Sequence, residues 1–372
     1  MMTALFAALG MLVLILDAQT AVSGAKAGIE LCLGTVIPSL FPFFVLSMLL
    51  TSSLVGRSSR FLGPLGKFCG MPAGSESLLA VGLLGGYPVG AQNISRAREA
   101  GQLSGEDARR LLGFCNNAGP AFLFGMAAAQ FTEWWMGWAL WGIHILSALL
   151  TTRMLREKNL AAAALKLGIS MPLPQALEQA LKVMGSVCGW VVLFRVLIAF
   201  LERWFLWLLP ETGRVLVSGL LELSNGCLML GSIENTGLRM ILCSLFLALG
   251  GVCVTMQTIS VTAGMDRRLY FLGKGWQGLF AVLFAWLAQM VFLPAESRWA
   301  RTPLVPAAVC LISALLKIAV AFREKMVYNR NKSKEKGCIP CCSEKTFPGP
   351  ANTAPEVPGS MTIPSSAPKR AS

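Results

Sequence analysis

Ten apolar stretches follow one another along the chain, and they leave few folds open to it. Six are unbroken, near 3–16, 36–55, 134–152, 187–209, 276–294 and 303–322. Four are interrupted by glycine, proline or polar residues, near 76–100, 108–131, 213–231 and 237–262. A helix needs about 20 apolar residues to cross the hydrocarbon of a bilayer, and several stretches approach that length. Within a bilayer only helices and closed barrels satisfy their own backbone. Only 14% of the residues are charged, against about 25% in soluble domains, and the mean hydropathy is +0.62. The expected fold is all-α, a polytopic helical membrane protein. Its first stretch ends at Asp17 and has neither a basic start nor a small-residue cleavage site, so 1–22 reads as a retained helix and not as a signal peptide.

The interruptions carry a repeated pattern. Leu84-Gly85-Gly86-Tyr87-Pro88-Val89-Gly90-Ala91-Gln92 recurs as Leu249-Gly250-Gly251-Val252-Cys253-Val254-Thr255-Met256-Gln257. Paired glycines invite a helix to open, since glycine costs about 1 kcal/mol relative to alanine there. Matching breaks in two halves point to a transporter's binding site. Small residues also allow helices to approach closely, so two unrelated glycine contacts are the plain alternative. Two half-repeats are expected, 23–152 and 172–294, each starting with an amphipathic stretch and a span. A basic surface linker, 153–171, separates them. A final membrane helix with its flanks (295–327) and a disordered tail rich in Lys, then Pro, Ser and Thr (328–372), complete the chain. Pro38 and Pro42 each remove a backbone donor and are expected to kink or open the helix start there.

The net charge of +13 gathers at the ends of spans. Arg153, Arg156 and Lys158, Arg267, Arg268 and Lys274, and the run 323–336 are placed in the cytoplasm by the preference of basic residues for that side, which puts the C-terminus inside. The N-terminal half is ambiguous, because Arg57, Arg60 and Lys67 compete with Arg96, Arg98, Arg109 and Arg110. This charge does not suggest nucleic acid. Of eleven cysteines, eight lie in or beside apolar stretches, where they act as small hydrophobes. Cys338, Cys341 and Cys342 lack the fourth ligand of a closed zinc site. No phosphate loop, metalloprotease helix or nucleophile elbow occurs. No enzyme activity, metal or cofactor is therefore expected.

Four stretches carry candidate chemistry. At Gly85-Gly86-Tyr87-Pro88 one half-helix ends and Pro88 is positioned to start the next, leaving free N–H groups along Val89 to Asn93. At Phe114 to Pro120, Asn116 and Asn117 offer amide groups and Pro120 can start another half-helix. Such starts favour anions. The third is Leu221-Glu222-Leu223-Ser224-Asn225-Gly226, and the fourth Gly250-Gly251 with Thr255, Gln257 and Ser260. Several residues have two readings. Asn116 and Asn117 bind substrate or cap a helix; Tyr87 belongs to the site or anchors at an interface. Glu222, the one acid in its apolar stretch, is a proton or cation site or a cap. Arg195 binds an anionic substrate, neutralises Glu222 or snorkels. His144 reads as a packing residue. Ser104-Gly105-Glu106-Asp107 starts a helix that is either a gate or a solvated surface helix. Trp134, Trp135, Trp138 and Trp141 resemble an interfacial belt.

The ordered set Ser39 to Phe44, Gly85 to Ala91, Arg110 to Pro120 and Gly219 to Gly226 resembles the YlbJ (SpoVV) family of sporulation integral membrane proteins, related to the nucleoside-recognition Gate domain family. The resemblance covers roughly residues 20 to 295. It departs from internal symmetry at Val252 and Cys253, where polar residues would match the first half better. It implies a polytopic transporter that moves dipicolinic acid out of the mother cell across the outer forespore membrane. Dipicolinate is a flat aromatic dianion, suited to half-helix starts, amides and an arginine. The expected partners are thus a small organic anion and the lipid bilayer. The Gate relationship implies a nucleoside or heterocycle permease as an alternative, and a non-transporting scaffold for spore-envelope assembly is the third reading.

Overall fold

A computed structural model describes residues 2–54, 60–155 and 171–299. These fall in the first of two compact units, Met1–Pro306; the second, Ala307–Ser372, lies outside them. The expected final span at 303–322, the tail with its three cysteines, Arg57 and residues 156–170 of the linker also lie outside the described residues.

The protein is all-α and polytopic, with no strand among the described residues. Four helices are long and apolar enough to cross a membrane: Ala18–Leu54, Leu173–Trp204, Thr236–Val261 and Arg268–Phe292. Exposed Leu33, Leu46, Leu197 and Val291 lie on their outer surfaces, as lipid-facing positions should. α1 (Met2–Leu16) is shorter than a span. Asp17 then caps α2 (Ala18–Leu31), its carboxylate accepting from the Thr20 N–H.

α2 continues through a π-helical turn, Cys32–Val36, into α3 (Ile37–Leu54). The expected opening at Pro38 and Pro42 does not occur; the helix runs through both prolines. The wider π turn lies just before Pro38, and the Ser39 hydroxyl donates to the carbonyls of Thr35 and Val36. This helix packs antiparallel to α10 (Leu173–Trp204). Gly24 and Gly28 make the contact, since a Cβ at either would lie 2.9 Å from a Cα of Val196 or Val192. The Gly-x-x-x-Gly spacing permits such close backbone approach.

The remaining elements join two ends of the bundle. At one, an arginine end, Arg110 donates to the carbonyls of Cys69, Gly70 and Leu155. Arg153 reaches Phe68 O, Arg98 reaches Gly264 O, and Arg109 pairs with Asp266 at 3.2 Å. Arg98, Arg109, Arg110 and Arg153 therefore share one end. Between α4 (Gly63–Cys69) and α7 (Gly105–Leu112) the chain must enter and return to that end. It does so as a hairpin of α5 (Glu76–Leu84) and α6 (Val89–Glu99).

From α7 the chain crosses the bundle in pieces. An irregular segment, 113–119, leads to α8 (Pro120–Phe122) and looser helical turns to Gln130. There, at a tryptophan end, Arg239 donates to the carbonyls of Gln130 and Ile233. α9 (Trp135–Met154), 20 residues long, returns to the arginine end. After α10, α11 (Glu211–Leu221) and α12 (Leu223–Met229) form a second hairpin, entered from the tryptophan end. α13 (Thr236–Leu249) and α14 (Gly251–Val261) make a second broken crossing, and α15 (Arg268–Phe292) a final return.

The two Gly-Gly copies thus occupy elements of different kinds. Gly85-Gly86 turns a hairpin, whereas Gly250-Gly251 breaks a helix that continues onward. The position resembling the first turn in the second hairpin is Glu222. Ser104 caps α7 through the Asp107 N–H; one face of that helix, with Asp107, Arg110 and Leu111, is buried, and Glu106 on the other is exposed.

Candidate functional site

Each hairpin clasps a break. Gly86 has φ +79°, a left-handed turn that favours glycine. A Cβ on Gly119 would sit 3.0 Å from Gly86 Cα, so the first tip and the first broken crossing touch backbone to backbone. At the second tip, a Cβ on Gly251 would meet the carbonyl oxygens of Gly219 and Leu220 at 3.1 and 3.0 Å. Between the tips lies a cavity of about 30 Å³, room for water and far below the few hundred Å³ of small-molecule sites. Gly86, Tyr87, Gly119, Glu222, Ser224 and Gln257 supply its polar lining.

The breaks free backbone groups, and side chains take them up. α13 ends at Gly250, φ +75°, leaving carbonyls without intrahelical donors. Tyr87 Oη lies 3.2 Å from Leu247 O and 3.3 Å from Ala248 O and donates to them. Lys274 of α15 donates to Ala248 O (3.2 Å), Asn116 O (2.6 Å), Tyr87 Oη (2.8 Å) and Gln277 Oε1 (2.9 Å). Its ammonium also lies 4.8 Å from the Tyr87 ring centroid. A cation suits the negative end of a helix dipole. Lys274 is 5% exposed, and no carboxylate contacts it among the described residues.

The asparagines belong to the same network. Asn116 accepts from the Ala91 N–H (3.3 Å) and donates to Thr258 Oγ1 (2.8 Å). Asn117 donates to Phe114 O and accepts from Gln277 Nε2 at 2.8 Å. His144 Nε2 accepts from the Ala118 N–H at 3.2 Å. Both asparagines and His144 therefore settle the first break.

Other expected residues stand differently. Pro88 is the residue before α6, not its first. The helix start is not free, because Val89 N–H donates to Gly86 O and Ala91 N–H to Asn116. Glu222 caps its own helix, accepting from the Ser224 and Asn225 N–H groups at 2.9 and 2.6 Å. Asn225 then donates to Met229 Sδ and does not line the cavity. Arg195 pairs with Glu202 at 3.2 Å along its own helix and does not line the cavity either. Thr255 bonds back to Gly251 O, also away from the cavity. Pro120 opens α8 immediately behind Gly119. Gln257 lines the cavity and donates to Cys253 Sγ.

Lys274 is the residue the sequence reading missed. It counted as a charge at the edge of a span beginning near 276. Because α15 starts at Arg268, Lys274 lies inside the helix, flanked by Gly273 and Gly275. A span drawn from 268 exposes it as an intramembrane cation.

No family model and no solved structure matches the chain. The chain is similar to the sporulation integral membrane protein YlbJ of Bacillus subtilis (strain 168). They are 26% identical over 331 residues, which cover 76% of this chain and 80% of that protein.

Proposed function

We propose that this protein is a membrane transporter of a small organic anion that acts in sporulation. One observation carries the reading: two hairpins entered from opposite ends face each other across a small, mostly apolar cavity that holds Tyr87, Glu222, Ser224 and Gln257 in its wall and is bordered by two broken helices. Backbone that leaves a helix within a membrane is tolerated where it lines a cavity, and substrate sites of secondary transporters are built this way. The order span, hairpin, broken crossing, return runs through 18–154 and again, entered from the other end, through 173–292. Rocking of such repeats against each other alternates access to a central site. The cavity's small volume leaves room for water but not for a substrate in this arrangement. Residues from both parts line it, which a scaffold has no need of.

Similarity to YlbJ supports the setting in sporulation. Dipicolinate, leaving the mother cell across the outer forespore membrane, is the cargo implied by the resemblance to the YlbJ (SpoVV) family. Its carboxylates suit a cavity whose wall includes Tyr87, with Lys274 and the Asn116 backbone carbonyl bonded directly behind it. The arginine end faces the cytoplasm on the same reading. The chemistry is carriage and not catalysis.

The test is uptake of labelled dipicolinate into proteoliposomes, beside an Asn116→Ala, Asn117→Ala double variant. Saturable uptake by the wild type, at least about tenfold lower in the folded variant, supports transport at this site. Uptake inhibited by nucleosides and indifferent to pyridine dicarboxylates replaces the cargo with a nucleoside. No uptake in either gradient direction by folded protein overturns transport and favours the scaffold.

A further inference from the structure

Lys274 is more than a brace between helices. An ammonium has three protons, and Lys274 holds them among four oxygens within 3.2 Å, all neutral. Those oxygens come from the first hairpin tip (Tyr87), the first break (Asn116), the second break (Ala248) and the next turn of α15 (Gln277). The acid at the second tip is engaged elsewhere, on the Ser224 and Asn225 amides. A charge in a membrane interior is costly, and such residues mark substrate and ion pathways. Tyr87 connects this cation to the cavity: its hydroxyl accepts from the ammonium, and it also lines the cavity wall.

Resting on the transport reading above, we propose that Lys274 is the counter-charge for a carboxylate of the transported anion. The carboxylate, entering on the Tyr87 side of the cavity, replaces the Tyr87 hydroxyl and one backbone carbonyl as acceptors from the ammonium. The exchange takes acceptors away from the two breaks that Lys274 ties together. Arrival of an anion thereby loosens the contact between them, and a neutral molecule of the same shape leaves the tie intact. Selectivity for carboxylates and widening of the narrow cavity are then one event.

Dipicolinate and its neutral isostere pyridine-2,6-dicarboxamide are the probes. Uptake into proteoliposomes is measured for wild type, Lys274→Gln, Lys274→Arg and Tyr87→Phe, each checked for folding by size-exclusion profile. The wild type is expected to take up dipicolinate without competition from the dicarboxamide. Lys274→Gln lowers kcat/KM for dipicolinate about 100-fold and removes the preference over the dicarboxamide, whereas Lys274→Arg keeps that preference. Tyr87→Phe lowers the KM for dipicolinate about threefold, because a competing acceptor is gone; a purely structural tyrosine would not lower it. If Lys274→Gln fails to fold, Lys274→Arg and Tyr87→Phe decide. Wild-type kcat/KM and preference in Lys274→Gln, lost preference in Lys274→Arg, or a raised KM in Tyr87→Phe overturns the assignment while leaving transport standing. If the folded wild type takes up no carboxylate, transport itself fails. Thermal shifts with dipicolinate then decide the lysine's role: stabilisation of wild type alone upholds it, and equal or absent stabilisation in wild type and Lys274→Gln overturns it.

Discussion

The two hairpins approach one cavity from opposite ends and turn by different chemistry. The first turns through four residues, Gly85 to Pro88, with Gly86 left-handed. The start of α6 then depends on an oxygen from another element, the Asn116 amide. The second turns at a single extended residue, Glu222, whose carboxylate caps the helix it begins. The first hairpin is thus bonded to its neighbouring crossing, and the second carries its own cap.

The contrast can be broken most severely at its backbone contact. Gly119→Val forces a branched side chain into the backbone of Gly86 and should cost about 3 kcal/mol or more. The expected result is loss of monodisperse protein from detergent extracts. Asn116→Ala comes next, at about 1–3 kcal/mol, since it strands the Ala91 N–H and removes the partner of Thr258. Hydrogen exchange should rise in both α6 and α14. Glu222→Ala should cost about 1–2 kcal/mol and raise exchange in α12 alone; a rise in α6 as well would remove the distinction between the tips. Glu222→Gln keeps an acceptor for the helix start and should lower the melting temperature by only a few degrees, while uptake of the anion falls at least about tenfold. Uptake unchanged by that substitution and by a pH gradient would exclude proton coupling through Glu222. Arg195→Gln, which removes a partly exposed pair with Glu202, should shift stability by less than about 0.5 kcal/mol and leave uptake at the wild-type rate. A large transport defect there would return Arg195 to the site.

Much of this was legible in the residues. Apolar length and sparse charge specify a helical membrane protein, and the interruptions at Gly85 to Pro88, Asn116 to Pro120 and Gly250-Gly251 mark where helices open, whereas Pro38 and Pro42 do not. Gly86, Tyr87, Glu222, Ser224 and Gln257 were legible as polar or helix-breaking residues within apolar stretches, and they meet at the cavity. What local pattern lacks is direction. A stretch that enters and returns reads the same as one that crosses, so two similar Gly-Gly strings look equivalent although one turns a hairpin and the other does not. Partner choice is also invisible. Arg195 has an acid at Glu202, two turns along its own helix, nearer than any across the bundle. Lys274 was hidden by placing the start of a span eight residues too late. The Gly24 and Gly28 spacing was readable as a helix contact, but its partner, α10, is not.

The tie at Lys274 also fixes when this molecule can be complete. Tyr87 and Lys274 are 187 residues apart in the chain. At about 5–20 residues per second of synthesis, the first tip waits roughly 10–40 s for the ammonium that closes over it. Through that interval the carbonyls of Asn116, and later of Ala248, have no lysine to receive them and must be held by water or by the insertion machinery. A nascent chain halted before α15 would present an unfinished polar interior to the lipid. The helix that seals the centre is thus the last long one among the described residues, and the polar core is complete only once it has been made.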